Sequence, residues 1–448
     1  MFKRIFVLFG VATLLSLLAA TVHSQEAIYP YIIGAYLYQS GKIVIINGNT
    51  ETDSWRYLDL ETGISHKMYR DDARNFHSGS NWSSETPVEK HYRFEVDEGN
   101  RATALIADFK GETTKVARRI EFPEITTTFE SGDLNLYGKL VLPLSKGPHP
   151  VVTIAHGSDP TPAVEGYYFP YLYAANGIAT FIYDKRGTGR SEGQYTSFPL
   201  FPVLAGDLIA GINWLKSRPE IDASRIGVAG FSQGGWIAPL AASKSDDIRF
   251  VLVGYGMAMS IADEDRLEAP LKLRIIGFEG EAIEQFKDFN RTLHEAARVN
   301  FENGWNEIEA KVAQYRKTEW FAAVKKTPTT WAGFILNMGL ENAKKALPEM
   351  LKSFDPFYDP VPTLEKLNIP MLWILGGKDI EAPPEVTIAV LERLRTELGK
   401  PLETVIFPHA DHGIVEFEEK DRKRIKTNYA DGYFSTMTDW LRRQTGVH

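Results

Sequence analysis

Ile226-Gly227-Val228-Ala229-Gly230-Phe231-Ser232-Gln233-Gly234-Gly235-Trp236-Ile237-Ala238 is the stretch that organises this chain. Its first four residues form a short apolar run of strand character, and the residues from Gly235 to Ala242 suit a helix. Between them, Gly230-Phe231-Ser232-Gln233-Gly234 fits G-x-S-x-G in the strand-turn-helix setting that this pattern requires. So tight a turn forces its central residue into a strained backbone conformation. Side chains on either side would collide with the neighbouring strand and helix, hence the flanking glycines. The expected result is a serine hydroxyl at the carboxyl edge of a sheet, with a helix N-terminus behind it where developing negative charge is favoured.

Outward from this turn, apolar strands alternate with amphipathic helical segments. Leu140-Val141-Leu142, Val151 to Ala155, Ala179 to Tyr183, Phe250 to Val253, Met371 to Leu375 and Thr404 to Phe407 are continuous, largely β-branched runs. A parallel sheet buried on both faces requires such runs, so the class expected is α/β. From Tyr31 to Ile125 the rhythm differs: short alternating runs such as Trp55-Arg56-Tyr57-Leu58 and Tyr92 to Val96 lie between turn residues, which reads as a β-rich module. That module has no catalytic spacing, and packing or oligomer contacts are favoured for it over substrate binding. Between Gly254 and Met371 the residues are rich in helix formers, with periodic segments at Ala282 to Asn300 and Glu307 to Thr318. A structureless loop of that length is improbable, so a helical insertion over one end of the sheet is expected. Its aromatics would roof an acyl pocket or simply form a packing layer.

A serine nucleophile needs a base, and the base needs an orienting acid. His412, in His409-Ala410-Asp411-His412-Gly413 just beyond the last strand, is the candidate base on a loop tip before the final helix; His409 is its rival. Asp379, after Met371 to Leu375, is the candidate acid, with Glu381 a weak alternative. Two backbone donors should hold the oxyanion: the N–H of Gln233 and, from the His156-Gly157-Ser158 loop, the N–H of Ser158. His156 itself reads as a structural hydrogen-bonder, and Asp184 and Arg186 as local fasteners of the turn from Tyr183 to Gly193.

Composition excludes several classes. The chain of 448 residues has 58 acidic and 50 basic side chains, so it lacks the basic footprint of a nucleic-acid binder. It has no cysteine, which removes disulfides, thiolate metal sites and a cysteine nucleophile. No P-loop is present, the glycines after Tyr183 do not follow a dinucleotide fingerprint, and His294-Glu295-Ala296-Ala297-Arg298 has arginine where a zinc protease needs its second histidine. No metal and no cofactor are expected. Lys3 and Arg4 precede an apolar run from Ile5 to Ala20, then small residues, which reads as a cleaved export leader. That run is too short to span a bilayer, so no stable membrane insertion is expected after cleavage.

His156-Gly157-Ser158, Tyr183 to Ser191, Gly230 to Gly235, Gly377 to Asp379 and Asp411-His412-Gly413 together resemble the exported bacterial α/β-hydrolases related to serine aminopeptidases, dienelactone hydrolases and acyl esterases. The resemblance spans roughly 126–445. It implies the α/β-hydrolase fold, a Ser232, Asp379, His412 triad and hydrolysis through an acyl-enzyme. The organisation expected is a leader at 1–24, a β-rich N-terminal domain at 25–125 and a hydrolase domain at 126–448 with a helical cap at about 256–360. The activity expected is that of a secreted or periplasmic carboxylic ester hydrolase on a small acyl ester. The alternative is an aminopeptidase or dipeptidyl peptidase acting on short peptides, for which Asp263-Glu264-Asp265 and Glu268 could grip a free amine; a solvated helix start is the favoured reading of that cluster. A catalytically dead binding module is a third, minor alternative.

Overall fold

The computed structural model describes residues 31–49, 52–196, 200–327 and 329–447. The leader expected at 1–24 lies outside the described residues. No helix among them is long and apolar enough to cross a membrane.

Eight antiparallel strands between Gly34–Tyr38 and Lys115–Arg119 each pair with the next, and the first pairs with the last to close a barrel. Alternation accounts for its inside: in Lys90–Val96, Tyr92 and Phe94 turn inward while Arg93 and Glu95 stay in water. Aromatic rings fill the interior, with Phe76 edge-on to Phe94 at 5.7 Å and Tyr57 tilted on Tyr92 at 5.5 Å. The barrel is welded to the rest of the chain. Its core is continuous with rings such as Phe169, Tyr433 and Phe434. At the seam, the Asn47 side chain donates to the Gly166 carbonyl (2.7 Å) and the Tyr429 N–H donates to the Gly63 carbonyl (3.0 Å).

The second sheet has eight strands in the spatial order Leu402–Phe407, Met371–Gly376, Ile248–Gly254, Ile221–Phe231, His149–Ala155, Ala179–Tyr183, Leu134–Val141 and Glu124–Ser131. The first six are parallel, and the last two form an antiparallel hairpin at one edge. His149–Ala155 and Met371–Gly376 are buried at every position, as strands covered on both faces must be. Helices Phe201–Lys216, Gly234–Ala242 and Pro384–Thr396 cover one face, and Phe169–Ala175 and Tyr433–Thr445 the other. This is the α/β-hydrolase fold. The edge hairpin begins at Glu124, and its strand Glu124–Ser131 holds three consecutive threonines, Thr126 to Thr128, and an exposed Glu130, so it carries no continuous apolar run to announce it.

Between Gly254 and Met371 six helices from Ile261–Ile275 to Leu340–Met350 build a cap with its own core, in which Phe286, Phe289, Trp320 and Phe321 are buried together. The expected helices appear as Glu281–Arg298 and Trp305–Tyr315. One expectation is corrected. His412 does not lead directly into the last helix, because a hairpin, Val415–Lys420 with Lys423–Tyr429, intervenes. Its turn residues Asp421 and Arg422 both have positive φ (50° and 59°), as a primed two-residue turn demands. Asp-Arg lacks the glycine that usually advertises such a turn.

Candidate active site

The strand Ile221–Phe231 and the helix Gly234–Ala242 meet at Ser232, whose φ is 52°. Flanking glycine is obligatory: a Cβ on Gly230 would lie 2.0 Å from the Gly234 carbonyl oxygen, and one on Gly234 would lie 2.0 Å from that of Ala155. The turn is pinned by the Ser232 N–H to the Gly254 carbonyl (3.0 Å) and the Gly235 N–H to the Ser232 carbonyl (2.7 Å).

His412 Nε2 lies 3.1 Å from Ser232 Oγ, and His412 Nδ1 lies 2.8 Å from Asp379 Oδ2. The other Asp379 oxygen accepts the N–H groups of Glu381 (2.9 Å) and Ala382 (2.8 Å), which fixes the carboxylate behind the imidazole. The structure thus brings together three residues of which Ser232 and His412 are 180 positions apart and Asp379 and His412 are 33 apart, and it sorts them from their rivals. His409 is exposed, and Glu381 lies 3.9 Å from His412 Nε2, on the serine side of the ring and not on the Nδ1 side. Burial pulls the His412 pKa down, but the charge of Asp379 and its hydrogen bond outweigh burial and leave the ring above its ordinary 6.5. Tyr255, which no motif singled out, stands edge-on to the imidazole at 4.9 Å. Asp411 pairs with Arg424 (2.9 Å) and accepts the His412 N–H (2.9 Å), so it serves the loop. Among the described residues no cluster of ligands could hold a metal ion.

Ser158 and Gln233 both border the space in front of Ser232, and among the described residues neither backbone N–H has a partner. Behind them lies a residue that sequence reasoning missed. The buried Lys185 ammonium donates to the Gly157 carbonyl and to Gln233 Oε1 (2.8 Å). In a trans peptide the C=O and the next N–H point opposite ways. Holding the Gly157 carbonyl inward therefore turns the Ser158 N–H away from Lys185. Burial lowers the Lys185 pKa to about 7, with Asp159 pulling it back up. Only its place in Asp184-Lys185-Arg186 could have hinted at this role.

His156 is corrected: it is buried, neither ring nitrogen makes a hydrogen bond, and it packs on Tyr167 (ring centroids 5.5 Å). Burial, then the nearby Lys185 charge, hold it well below 6.5, a neutral packing ring. Asp184 reaches back to the short helix Ala163–Gly166 and accepts the N–H groups of Ala163 (2.7 Å) and Val164 (3.0 Å) at its start. Arg186 reaches further than expected, clasping Asp207 on the helix Phe201–Lys216 through two nitrogens (2.8 and 2.6 Å).

Two cavities meet at Ser232 and His412. The cap-side cavity, about 300 Å³, is bordered by Trp236, Met257, Trp331 and Phe354, and by Glu264 and Glu268. The acidic cluster is therefore only partly a solvated helix start. Asp263 does play that part, bonded to the cap residue Ser260. Asp265 is buried and accepts from Asn290, from His294 Nε2 (each 2.9 Å) and from the Trp331 N–H (2.9 Å), tying cap helices together. Glu264 and Glu268 turn to the cavity. Burial, then the neighbouring Glu268 charge, push Glu264 well above the usual carboxylate range; burial raises Glu268 to about 7 despite its ion pair with Lys272. The barrel-side cavity, about 440 Å³, is bordered by Arg56, Trp82, Tyr168, Lys426 and Tyr429. A larger cavity of about 590 Å³ is bordered by barrel residues such as Tyr38, His66 and Lys90 and reaches none of the groups around Ser232.

A family model described as X-Pro dipeptidyl-peptidase (S15 family) matches residues 131–413, from the edge hairpin to the glycine after His412. The chain belongs to this family. Relatives of the S15 member described above include an uncharacterized 31.7 kDa protein from the traX-finO intergenic region of Escherichia coli, 26% identical over 246 residues, 53% of this chain and 75% of the relative. Esterase EstD of Thermotoga maritima is 27% identical over 173 residues, 35% of this chain and 41% of its own. Among solved structures, the acylaminoacyl peptidase of Pyrococcus horikoshii is 16% identical with a TM-score of 0.45, covering 93% of this chain and 56% of that one. The chain is an α/β-hydrolase of the esterase and peptidase type.

Proposed function

We propose that the protein cleaves carboxylic esters through an acyl-enzyme on Ser232. The observation that carries this reading is the unbroken relay from Asp379 through His412 to Ser232 Oγ, beside two backbone donors free to take an oxyanion. His412 takes the serine proton as Oγ attacks the carbonyl and returns it to the leaving alcohol. Asp379 holds the ring in the tautomer that can accept, and the Gln233 and Ser158 N–H groups stabilise the tetrahedral oxyanion. Water then repeats the sequence on the acyl-enzyme. No metal or cofactor has a step in this scheme. The likeness to esterase EstD supports the ester reading. Rates on short p-nitrophenyl acyl esters, with Ser232→Ala as control, test it: unchanged turnover in Ser232→Ala would refute the mechanism.

A second reading, hydrolysis of aminoacyl or peptide amides, has its own observation. Glu264 and Glu268 border the cap-side cavity, where a substrate ammonium would restore the charge that burial denies Glu264. The family description points the same way. Glu264→Gln should lower kcat/KM about tenfold for an aminoacyl ester relative to the matched ester without the amine. An unchanged ratio would remove the amine grip. The proposal includes export through the leader of Lys3, Arg4 and Ile5 to Ala20, which fractionation of cells making the full chain and a leaderless chain would decide.

A further inference from the structure

We propose that the barrel domain forms part of the active site, and that its side of the cavity binds a carboxylate carried on the substrate's leaving group. This contradicts the favoured reading of that module as packing or oligomer contact. Three observations combine. First, Asn47, Arg56 and Trp82 of the barrel border the same cavity as Ser232 and His412. Second, the cations there are unspent. The Arg56 guanidinium is half-buried and lies 4.2 Å over the Trp82 ring; it donates to Ser65 Oγ (3.1 Å) and the Trp82 carbonyl (3.3 Å), and among the described residues no carboxylate pairs with it. Lys426, exposed on the hairpin after His412, is likewise without a carboxylate partner among the described residues. Third, of the two carboxylates on this side, Asp159 is already engaged by the Tyr167 hydroxyl (2.9 Å) and the Thr161 N–H (3.1 Å), and Glu381 lies 3.9 Å from His412 Nε2 and pairs with neither Arg56 nor Lys426.

A guanidinium withdrawn from water normally finds an anion, since desolvating the charge is costly without one. Burial holds the Arg56 pKa below its ordinary value, the direction expected when the site supplies too little negative charge. Its planar fork suits a carboxylate. The rings of Trp82 and Tyr429, edge to face at 5.2 Å, give the cavity an aromatic wall beside that fork. The cap-side cavity is bordered by Glu264, Asp265 and Glu268 and by no lysine or arginine, while Glu381 stands between the two and borders both. The two halves flanking Ser232 thus have opposite preferences, cation toward the cap and anion toward the barrel. A substrate with a carboxylate beyond the scissile bond satisfies the barrel half. This assignment rests on the reading of Ser232 as nucleophile only for the identity of the bond cut.

The experiment compares phenyl butyrate with 4-carboxyphenyl butyrate, which differ by one carboxylate on the leaving group. The kcat/KM of the carboxylated ester divided by that of phenyl butyrate should fall about tenfold in Arg56→Met and in Lys426→Met, against the wild-type ratio. Comparing ratios cancels intrinsic reactivity. Equal ratios in wild type and both variants overturn the proposal. Arg56→Lys, and Lys426→Met at its exposed site, serve if Arg56→Met does not fold. A second measurement is independent of turnover: calorimetric titration of Ser232→Ala with benzoate and with benzamide. Benzoate should bind more tightly than benzamide, and adding Lys426→Met or Arg56→Lys should weaken benzoate alone. Benzoate binding no better than benzamide overturns the subsite. Absence of Ser232-dependent turnover of both esters, with benzoate selectivity intact, would instead refute the ester reading and leave the subsite standing.

Discussion

Replacing Lys185 with methionine tests whether the oxyanion site is built from behind. Methionine keeps an unbranched chain of similar reach but removes the ammonium that bonds the Gly157 carbonyl and Gln233 Oε1. Each charge-assisted bond is worth about 1.5 to 3 kcal/mol. Only the part realised as charge builds on the oxyanion enters kcat. Losing one donor outright costs about 2.7 to 4 kcal/mol; Lys185→Met leaves both donors present but less firmly aimed, so a smaller cost follows, about 1.4 to 2.7 kcal/mol, or roughly 10- to 100-fold in kcat. Substrate contacts lie elsewhere, so KM should stay within about threefold. The assay is steady-state kinetics on a p-nitrophenyl ester, alongside the affinity of a phosphonate transition-state analogue, which should weaken in step with kcat. Stability supplies a second readout. With a folded pKa of about 7 against 10.5 for an ordinary lysine, the folded chain holds fewer protons than the unfolded chain between those values. The contribution of Lys185 to stability therefore rises with pH across that window, and the variant lacks that rise. Asp159 and His156 are its ionisable neighbours, and both persist in the variant. A raised KM with unchanged kcat, or analogue affinity that does not follow kcat, would refute the positioning role.

Other outcomes follow from the same geometry. The neutral imidazole is the active form, so kcat/KM on a neutral ester should rise with pH through an ionisation above 6.5, the direction set by Asp379 against burial. In Asp379→Asn only the weaker pull of Glu381 still opposes burial: the acid limb should move down while kcat falls about 10⁴-fold, and a limb that stays in place would contradict the coupling. Gly230→Ala would place a methyl 2.0 Å from the Gly234 carbonyl oxygen; overpacking should cost about 1 to 3 kcal/mol by denaturant melt, and displacement of Ser232 should cut kcat about 100-fold. Gly206→Ala, in the exposed face of Phe201–Lys216 with nothing within 4 Å of the new methyl, should stabilise by about 1 kcal/mol and serves as the control.

The fold was legible where burial on both sides leaves a continuous apolar run. Val151 to Ala155 and Met371 to Leu375 have no exposed position, so no charged residue interrupts them and Thr153 is their single hydroxyl. Legibility failed at the edges. Glu124–Ser131 has one neighbour and a wet face, and the hairpin Val415–Lys420 with Lys423–Tyr429 is mostly charged. Strands of this kind are held by ladder hydrogen bonds and a turn, and neither leaves a hydrophobic signature. The barrel was readable as β structure from its alternation, but closure depends on Tyr36 meeting Arg119 across the first and last strands, a contact of 83 positions that local periodicity does not encode.

The same distinction separates the residues of the site. Ser232, His412 and Asp379 are legible because each must stand at the carboxyl end of a strand and two are framed by glycine, so covalent geometry and spacing narrow the choice. Lys185 and Arg56 are recognisable only by what they lack, and so is the choice of Glu264 from an acidic cluster whose favoured reading was a solvated helix start. Each is an ionisable group withdrawn from water without a full countercharge: Lys185 bonds two neutral oxygens, Glu264 stands among carboxylates, and Arg56 bonds a hydroxyl and a carbonyl. In sequence they look like ordinary surface charges, since composition records a charge but not its distance from a partner. A fold maintained only for stability would gain from pairing such groups or replacing them with apolar residues. Their position around one serine gives the deficit a direction: the missing countercharges are those of an oxyanion in front of Lys185, an amine beside Glu264 and a carboxylate beside Arg56. A substrate that supplies all three at once would bind this cleft through interactions the resting protein leaves unmade.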